Sequence, residues 1–141
     1  MSCVRKAELI AGLYQALTGE AVSDATDRAF GRGWIEAHDR KEAEENISRL
    51  DAARIVHLFL LKETEIPDLK DISGAAVLRD LYDCRVCVNH IAQVYLRGLI
   101  AAAEIEGISK EKFLIFDGKA SLTDEDAVRI YERIRCIKQD S

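Results

Sequence analysis

The sequence predicts an all-α fold in which helical repeats surround a central three-helix bundle and extended arms connect them. The 141-residue chain contains one proline and eight glycines, a content that favours helices over a β fold with many turns. A helix-start motif and a helix-stop motif each recur along the chain, and such recurrence is typical of a repeat architecture. The length suits a single domain with its own hydrophobic core.

The helix-start motif occurs three times. Its copies are "RKAELIAGLYQAL" (5–17), "SRLDAARIV" (48–56) and "TDEDAVRIY" (123–131). Ser48 and Thr123 are predicted N-caps, because their hydroxyl groups can accept hydrogen bonds from early backbone N–H groups. Asp51, Asp126 and, in the first copy, Glu8 place negative charge in the first turn. Apolar residues follow at helical spacing, which predicts that the three helices form the central bundle; they are Leu9, Leu13, Leu17, Ile55, Phe59, Ile130 and Ile134.

The helix-stop motif occurs twice, as "FGRGWI" (30–35) and "YLRGLI" (95–100). Gly33 and Gly98 are predicted to take the left-handed conformation after the last helical turn. Arg32 and Arg97 complement the negative end of each helix dipole. The remaining segments are connectors, with a short helix expected over 68–80 and an extended arm at "KFLIFDGKASLT"; they are residues 19–24, 36–46, 63–75 and 101–122.

The alternation of the two motifs resembles the S-layer homology (SLH) domain family. The matching stretches are "AFGRGWI" with "ISRLDAARIV", and "DLYDCRVCVNHIAQVYLRGLI" with "FLIFDGKASLTDEDAVRI". The resemblance implies one SLH-like domain over 1–141, made of a half repeat (1–18) and two repeats (19–62 and 63–141). It also implies a non-catalytic module that binds anionic cell-envelope polysaccharide, as in the bacterial cell wall.

The resemblance also implies the ligand-binding residues. Arg49 matches the arginine of the family's Thr-Arg-Ala-Glu motif. Lys6 takes that place in the first copy without the planar fork that grips carboxylates, and Asp124 reverses the charge in the third. We therefore expect Arg49 as the main contact, supported by Lys6, Trp34 and Arg97. The alternatives are that Trp34 closes the helix stop by an apolar contact, and that the cations only form weak surface ion pairs.

The stretch "DLYDCRVCVNH" (80–90) contains Cys84, Cys87 and His90, and three interpretations stay open. On a helix led by Asp83, both cysteines would lie on the buried stripe as small core residues. They could instead bind zinc, a metal that needs four ligands in most structural sites. The candidate fourth ligands are His57, Cys3 and Cys136. As a redox pair they would need a disulfide within one helical turn, an awkward geometry. Reduced thiols are the default, since four cysteines are too few for a disulfide scaffold.

Charge and composition narrow the function classes. A net charge of −5 argues against binding to nucleic-acid phosphates, and the longest apolar runs are too short to cross a bilayer. No signal peptide is visible, so we expect a cytoplasmic protein if Met1 is the native start, and a cell-envelope location if the chain is an excised module. Catalytic motifs are absent, so we expect a non-enzyme without a cofactor other than zinc. The alternative functions are an intracellular protein-interaction or self-associating scaffold, a homo-oligomer included, and a metal- or thiol-dependent sensor.

Overall fold

A computed structural model describes the backbone of residues 2–140 and the side chains of residues 2–137. Its α-helices are α1 (Lys6–Thr18), α2 (Ala25–Arg32), α3 (Ala37–Lys41), α4 (Arg49–Phe59), α5 (Val88–Leu96) and α6 (Asp124–Asp140). Single turns of other helix types lie at Leu60–Thr64, Ser73–Val77, Leu81–Asp83 and Arg85–Cys87. Two antiparallel strands, β1 (Ala103–Glu106) and β2 (Lys112–Ile115), form a small sheet.

The prediction of an all-α fold is therefore wrong. The chain is mixed, with 56% helix and a two-stranded sheet, and it is not a clean helical repeat. The expected extended arm is a β-hairpin, in which Ile105 is the register partner of Phe113. The turn closes because the Gly107 N–H donates to the Glu111 carbonyl oxygen at 2.7 Å. Alternating side chains and a glycine-containing turn of this kind are typical of a hairpin.

The segments that lead into α1, α4 and α6 are joined by a closed ring of backbone hydrogen bonds, here called the helix-start ring. The Val4 N–H donates to the Leu122 carbonyl (3.0 Å), Leu122 to Ile47 (2.9 Å), and Ile47 back to Val4 (2.8 Å). The N–H groups of Lys6, Arg49 and Asp124 likewise donate to carbonyl groups of Glu45, Ala120 and Ser2. These bonds satisfy donors that a helix N-terminus leaves unpaired, and they place the three copies of the start motif in equivalent positions.

The predicted helix ends are confirmed. Ser48 Oγ accepts from the Asp51 N–H (3.0 Å), and Thr123 Oγ1 accepts from the Asp126 N–H (3.2 Å). At the helix stops the backbone φ angles of the two glycines are 86° and 73°, in the left-handed region that favours glycine. Local chemistry therefore fixes where these helices begin and end.

The core lies between α1, α4 and α6, and α5 packs on α4. The side chains expected to line the bundle are buried, except that Leu17 is only partly buried; the buried ones are Leu9, Leu13, Ile55, Phe59, Ile130 and Ile134. Tyr14, Trp34 and Phe59 pack edge to face beside them, with ring centroids 5.1–6.3 Å apart, a favourable geometry for aromatic rings.

Three local expectations were wrong. The short helix expected over 68–80 is one turn at Ser73–Val77. The helix expected to start at Asp83 starts at Val88, because Cys84 has an extended backbone (φ −127°, ψ 102°). The segment 36–46, expected to be a connector that forms a solvated linker or a helix surface, does contain a helix, α3, but its Asp39 is fully buried. Within residues 2–140, no helix is both long and apolar enough to cross a membrane.

Candidate functional site

Two of the three cations expected to bind a ligand, Lys6 and Arg49, lie inside the protein. Lys6 is 1% exposed, and its Nζ donates to Asp39 (2.9 Å) and Glu42 (2.7 Å). Burial by itself lowers the pKa of Lys6, but the bonds to Glu42 and Asp39 outweigh burial and raise the pKa. Its positive charge is thus already matched by carboxylates of the same chain, so the geometry gives Lys6 a structural role.

Arg49 is also held by the chain itself. Its Nε donates to the Phe116 carbonyl oxygen (2.9 Å), its Nη1 to Asp126 Oδ2 (3.2 Å), and its Nη2 to the Ala101 carbonyl oxygen. The side chain is 10% exposed. Because the guanidinium fork joins α4 to α6 and to the hairpin segment, an anionic ligand would have to displace these bonds to reach it.

Trp34 and Arg97, the other two residues expected to contact a ligand, also donate hydrogen bonds within the chain. Trp34 is fully buried, and its Nε1–H donates to Glu63 Oε2 at 2.9 Å. The apolar alternative for Trp34 is therefore the arrangement found. Arg97 is half-buried, and its Nη2 donates to the Pro67 carbonyl oxygen at 2.7 Å. Burial by itself raises the pKa of Glu63, but hydrogen bonds from Tyr14 and Trp34 outweigh burial and lower the pKa.

Cys84 and Cys87 form a disulfide, with their Cα atoms 5.2 Å apart. The bond differs from the reduced thiols expected as the default, and sulfur bonded to sulfur is not the thiolate that binds metal. The zinc site with His90 stays a prediction. The awkward geometry foreseen for one helical turn does not arise. The extended Cys84 and the following tight turn, Arg85–Cys87, bring the Cα atoms into the usual disulfide range.

The disulfide lies at a pocket. The pocket has a volume of about 360 Å³, within the range of small-molecule and peptide sites. Cys84 lines it, whereas Cys87 packs against the core. The other lining residues are Leu50, Asp80, Asp83, Ile91, Ile115, Phe116, Asp117, Gly118 and Lys119. Tyr82 (66% exposed) and Val86 (86% exposed) are large hydrophobic side chains close to the cysteines in sequence. One cysteine of the pair thus lines the pocket, and the other packs against the core.

The wall opposite the cysteines is held by a carboxylate. Asp80 Oδ1 accepts from the Phe116 N–H (2.7 Å), and Asp80 Oδ2 accepts from the Asp117 N–H (2.8 Å). These two bonds fix the segment after β2 against the segment that carries the cysteines. The pocket shape is therefore set by charge-assisted hydrogen bonds, which are stronger than neutral ones.

Asp68, His57 and His90 form a hydrogen-bonded chain, here called the histidine relay. His57 Nε2 lies 2.6 Å from Asp68 Oδ1, and His57 Nδ1 lies 2.8 Å from His90 Nδ1. His57 is 4% exposed. Asn89 Nδ2 donates to the second Asp68 oxygen at 2.9 Å. The sequence favours His57 as a satisfied, half-buried histidine over a metal ligand; the structure has it buried, with a partner at each ring nitrogen.

Sequence reasoning missed the relay as a unit. Its signal was present, because His57 and His90 each interrupt an apolar helix face, and buried polar groups require partners. Burial by itself raises the pKa of Asp68, but bonds from His57 and Asn89 outweigh burial and lower it. Burial lowers the pKa of His90, and His57 and Arg54 lower it further against the opposing effect of Asp68. At neutral pH the relay therefore contains a carboxylate and a neutral His90.

Among residues 2–137, the side chains close enough to share a metal ion are Glu36, His38 and Asp39. Both carboxylate oxygens of Asp39 already accept hydrogen bonds within the chain. The donors are Arg54 (3.0 and 2.8 Å), Lys6 and the Glu36 N–H. This group therefore carries no metal assignment.

Comparisons of the chain with protein families, with curated proteins and with solved structures found no match. The features of the molecule that bear on function are therefore the disulfide, its pocket and the histidine relay.

Proposed function

We propose that the protein acts through reversible thiol–disulfide exchange at Cys84 and Cys87. The observation that carries this proposal is the disulfide itself, which closes a single turn at the edge of a pocket. The two bonded sulfurs are the chemical groups that such exchange requires. The proposal corresponds to the thiol-dependent sensor among the alternatives drawn from the sequence.

The energetics favour a reversible bond over a structural cross-link. The disulfide closes a loop of only four residues, and loop-closure entropy then contributes about 2 kcal/mol to stability. A domain of this size is typically stable by roughly 5–15 kcal/mol. Reduction therefore removes only part of the folding free energy, so both redox states remain folded. The bond also joins no distant segments, which is where a structural disulfide contributes most.

The two cysteines have different surroundings, which assigns them different steps. Cys84 lines the pocket and precedes the turn that leads into α5, so it is the sulfur that an external thiol or disulfide reaches. Cys87 packs against the core, so it is the second sulfur, which attacks Cys84 and releases the partner. Exposed Tyr82 and Val86 favour a peptide thiol or disulfide as the partner.

The test is a redox titration of a variant that lacks the two other cysteines, Cys3 and Cys136, both exposed and free. The Cys3→Ser, Cys136→Ser protein is equilibrated in dithiothreitol buffers and then labelled with a maleimide, and the fold is followed by circular dichroism. We expect a reversible two-electron transition between about −180 and −300 mV with the helices retained.

Two results would overturn the proposal. The first is that the pair stays oxidised at potentials below about −300 mV, as structural disulfides do. The second is that reduction unfolds the chain. Adding Cys84→Ser to the same background provides the control, because it should abolish the transition without changing the helix content.

The predictions of polysaccharide binding, of a protein-interaction scaffold and of a non-enzyme stay predictions. The positions of Lys6, Arg49 and Trp34 do not favour polysaccharide binding, since each is buried and bonded within the chain.

A further inference from the structure

We propose that the pocket beside Cys84 binds a peptide thiol or disulfide that has an apolar side chain and a cationic side chain next to its sulfur. The inference rests on the proposed thiol–disulfide exchange and names the class of partner that the same site takes. Three properties of the pocket support it, namely an apolar wall, negative charge that the chain leaves without a partner, and the position of Cys84.

Four apolar residues line the pocket and are here called the apolar wall. Ile91 and Phe116 are 3% and 1% exposed, so they are fixed parts of the core. Leu50 and Ile115 are half-buried and still present apolar surface to the pocket. Removing apolar surface from water is the dominant favourable term in most protein association. An apolar side chain of a partner therefore gains free energy by packing on this wall.

The pocket also has an excess of negative charge. Three aspartates line it, against a single lysine, Lys119. The carboxylate of Asp80 is used within the chain, where it accepts from the Phe116 and Asp117 N–H groups. Among the side chains of residues 2–137, none donates a hydrogen bond to the carboxylates of Asp83 and Asp117 or forms an ion pair with them. These two carboxylates are therefore open to a cation of the partner.

Cys84 brings the reacting sulfur to these groups. It lines the same pocket, and Asp83 directly precedes it in the chain. A partner whose sulfur reacts with Cys84 Sγ therefore has its neighbouring residues at the pocket. Charges interact over several ångströms even in water. A lysine or arginine next to the partner's cysteine should thus favour the encounter, and a glutamate there should oppose it.

The exchange with this partner conserves atoms and electrons. The Cys84 thiol loses its proton to water, and its sulfur attacks one sulfur of a peptide disulfide. The peptide S–S bond breaks, and the first peptide leaves as a thiolate that takes a proton from water. The Cys87 thiol loses its proton to water, and its sulfur attacks Cys84 Sγ. The Cys84–Cys87 bond forms, and the second peptide leaves as a thiolate that is protonated by water. The protein dithiol is oxidised by two electrons, and the peptide disulfide is reduced by two.

The experiment measures how the partner's side chains change its rate of reaction with the reduced Cys3→Ser, Cys136→Ser protein. The probes are disulfide dimers of three blocked tripeptides, leucyl-cysteinyl-lysine, leucyl-cysteinyl-glutamate and glycyl-cysteinyl-lysine. Acid-quenched samples are analysed by mass spectrometry, which follows the loss of reduced protein. Each rate is divided by the rate of the same dimer with mercaptoethanol, because this removes differences in the intrinsic reactivity of the peptides.

The leucine–lysine dimer should react about threefold to tenfold faster than the leucine–glutamate dimer at low ionic strength. This lysine-to-glutamate ratio should shrink in about 0.5 M salt, where exposed charges are screened. The leucine–lysine dimer should also react at least about twofold faster than the glycine–lysine dimer, because leucine alone packs on the apolar wall.

The variant Asp83→Asn, Asp117→Asn removes both open charges while retaining the size of the side chains. Asparagine tolerates the left-handed backbone of Asp117 (φ 61°). The lysine-to-glutamate ratio should fall below about twofold, with the leucine-to-glycine ratio unchanged. Asp24→Asn is the matched control, because Asp24 is exposed, is also left-handed (φ 54°) and does not line the pocket. It should keep both ratios.

If all three dimers oxidise the pair and the lysine-to-glutamate ratio is close to one, the inference is overturned and the exchange itself stands. A ratio that persists in the double variant also overturns it, because the preference would then come from other charges of the protein. A leucine-to-glycine ratio close to one overturns the role of the apolar wall. If no dimer forms the Cys84–Cys87 bond, the proposed function fails, and this inference fails with it. If the double variant does not fold, Asp117→Asn decides, and an unchanged ratio in that variant overturns the inference.

Discussion

Replacing Lys6 with methionine removes a buried charge while retaining most of the side chain's apolar length. Asp39, which is fully buried, would lose its 2.9 Å partner, and Glu42 would lose its 2.7 Å partner. Breaking a buried ion pair by removing one partner typically costs about 3–5 kcal/mol. Arg54 still contacts both Asp39 oxygens, so we expect a loss near the lower end, about 3 kcal/mol.

Urea unfolding followed by circular dichroism measures this loss. For a slope of about 2 kcal/mol per molar urea, the midpoint should fall by about 1.5 M. Lys41→Met is the matched control, because Lys41 is exposed and surface substitutions usually change stability by less than about 0.5 kcal/mol. A cycle with Asp39→Asn should give a coupling energy of about 1–3 kcal/mol.

The reasoning is refuted if Lys6→Met is as stable as Lys41→Met. Lys6 would then be solvated in solution and free to contact a ligand, as the resemblance to SLH domains implies.

Three further predictions concern single side chains. His90 has a pKa below its ordinary value of 6.5, so the folded state binds fewer protons than the unfolded state. The free energy of unfolding should therefore fall as the pH drops below about 6.5 toward the lowered pKa. His90→Gln should flatten this dependence of stability on pH between pH 7.5 and 5.5. A Cβ on Gly12 would overlap the Tyr131 ring, so Gly12→Ala should destabilise by about 1–2 kcal/mol in urea unfolding. In a Tyr131→Ala background the same change should instead stabilise by up to about 1 kcal/mol, and an unchanged sign would contradict the contact. Trp34→Phe leaves Glu63 without one donor and should cost about 2–3 kcal/mol by thermal or urea unfolding, whereas a groove-lining Trp34 would show almost no loss.

Local sequence signals predicted local structure well. The caps at Ser48 and Thr123 and the left-handed glycines at 33 and 98 follow from side-chain and backbone chemistry within a few residues, and all four are present. The hairpin was missed because its segment was interpreted from apolar content alone and not from its alternation about Gly107.

The candidate site could be predicted only in part. The spacing of Cys84 and Cys87 was visible, but a helix assumed to start at Asp83 gave the bond between them an awkward geometry. The start at Val88 depends on the extended backbone of Cys84, which no local signal fixed. The partners of Lys6 and His57 lie 33 residues away, and hydrophobic periodicity does not encode which distant polar groups meet.

The helix-start ring has a consequence for the order of folding. Its bonds connect residues 4, 47 and 122, so the ring closes only when three widely separated parts of the chain have met. Bringing such distant residues together costs loop-closure entropy before any of the hydrogen bonds contributes to stability. Helix α1 packs along α6, so during synthesis α1 must wait until α6 has been made. Until then its apolar face is exposed, and chaperones that bind such faces would have their longest opportunity at residues 6–18.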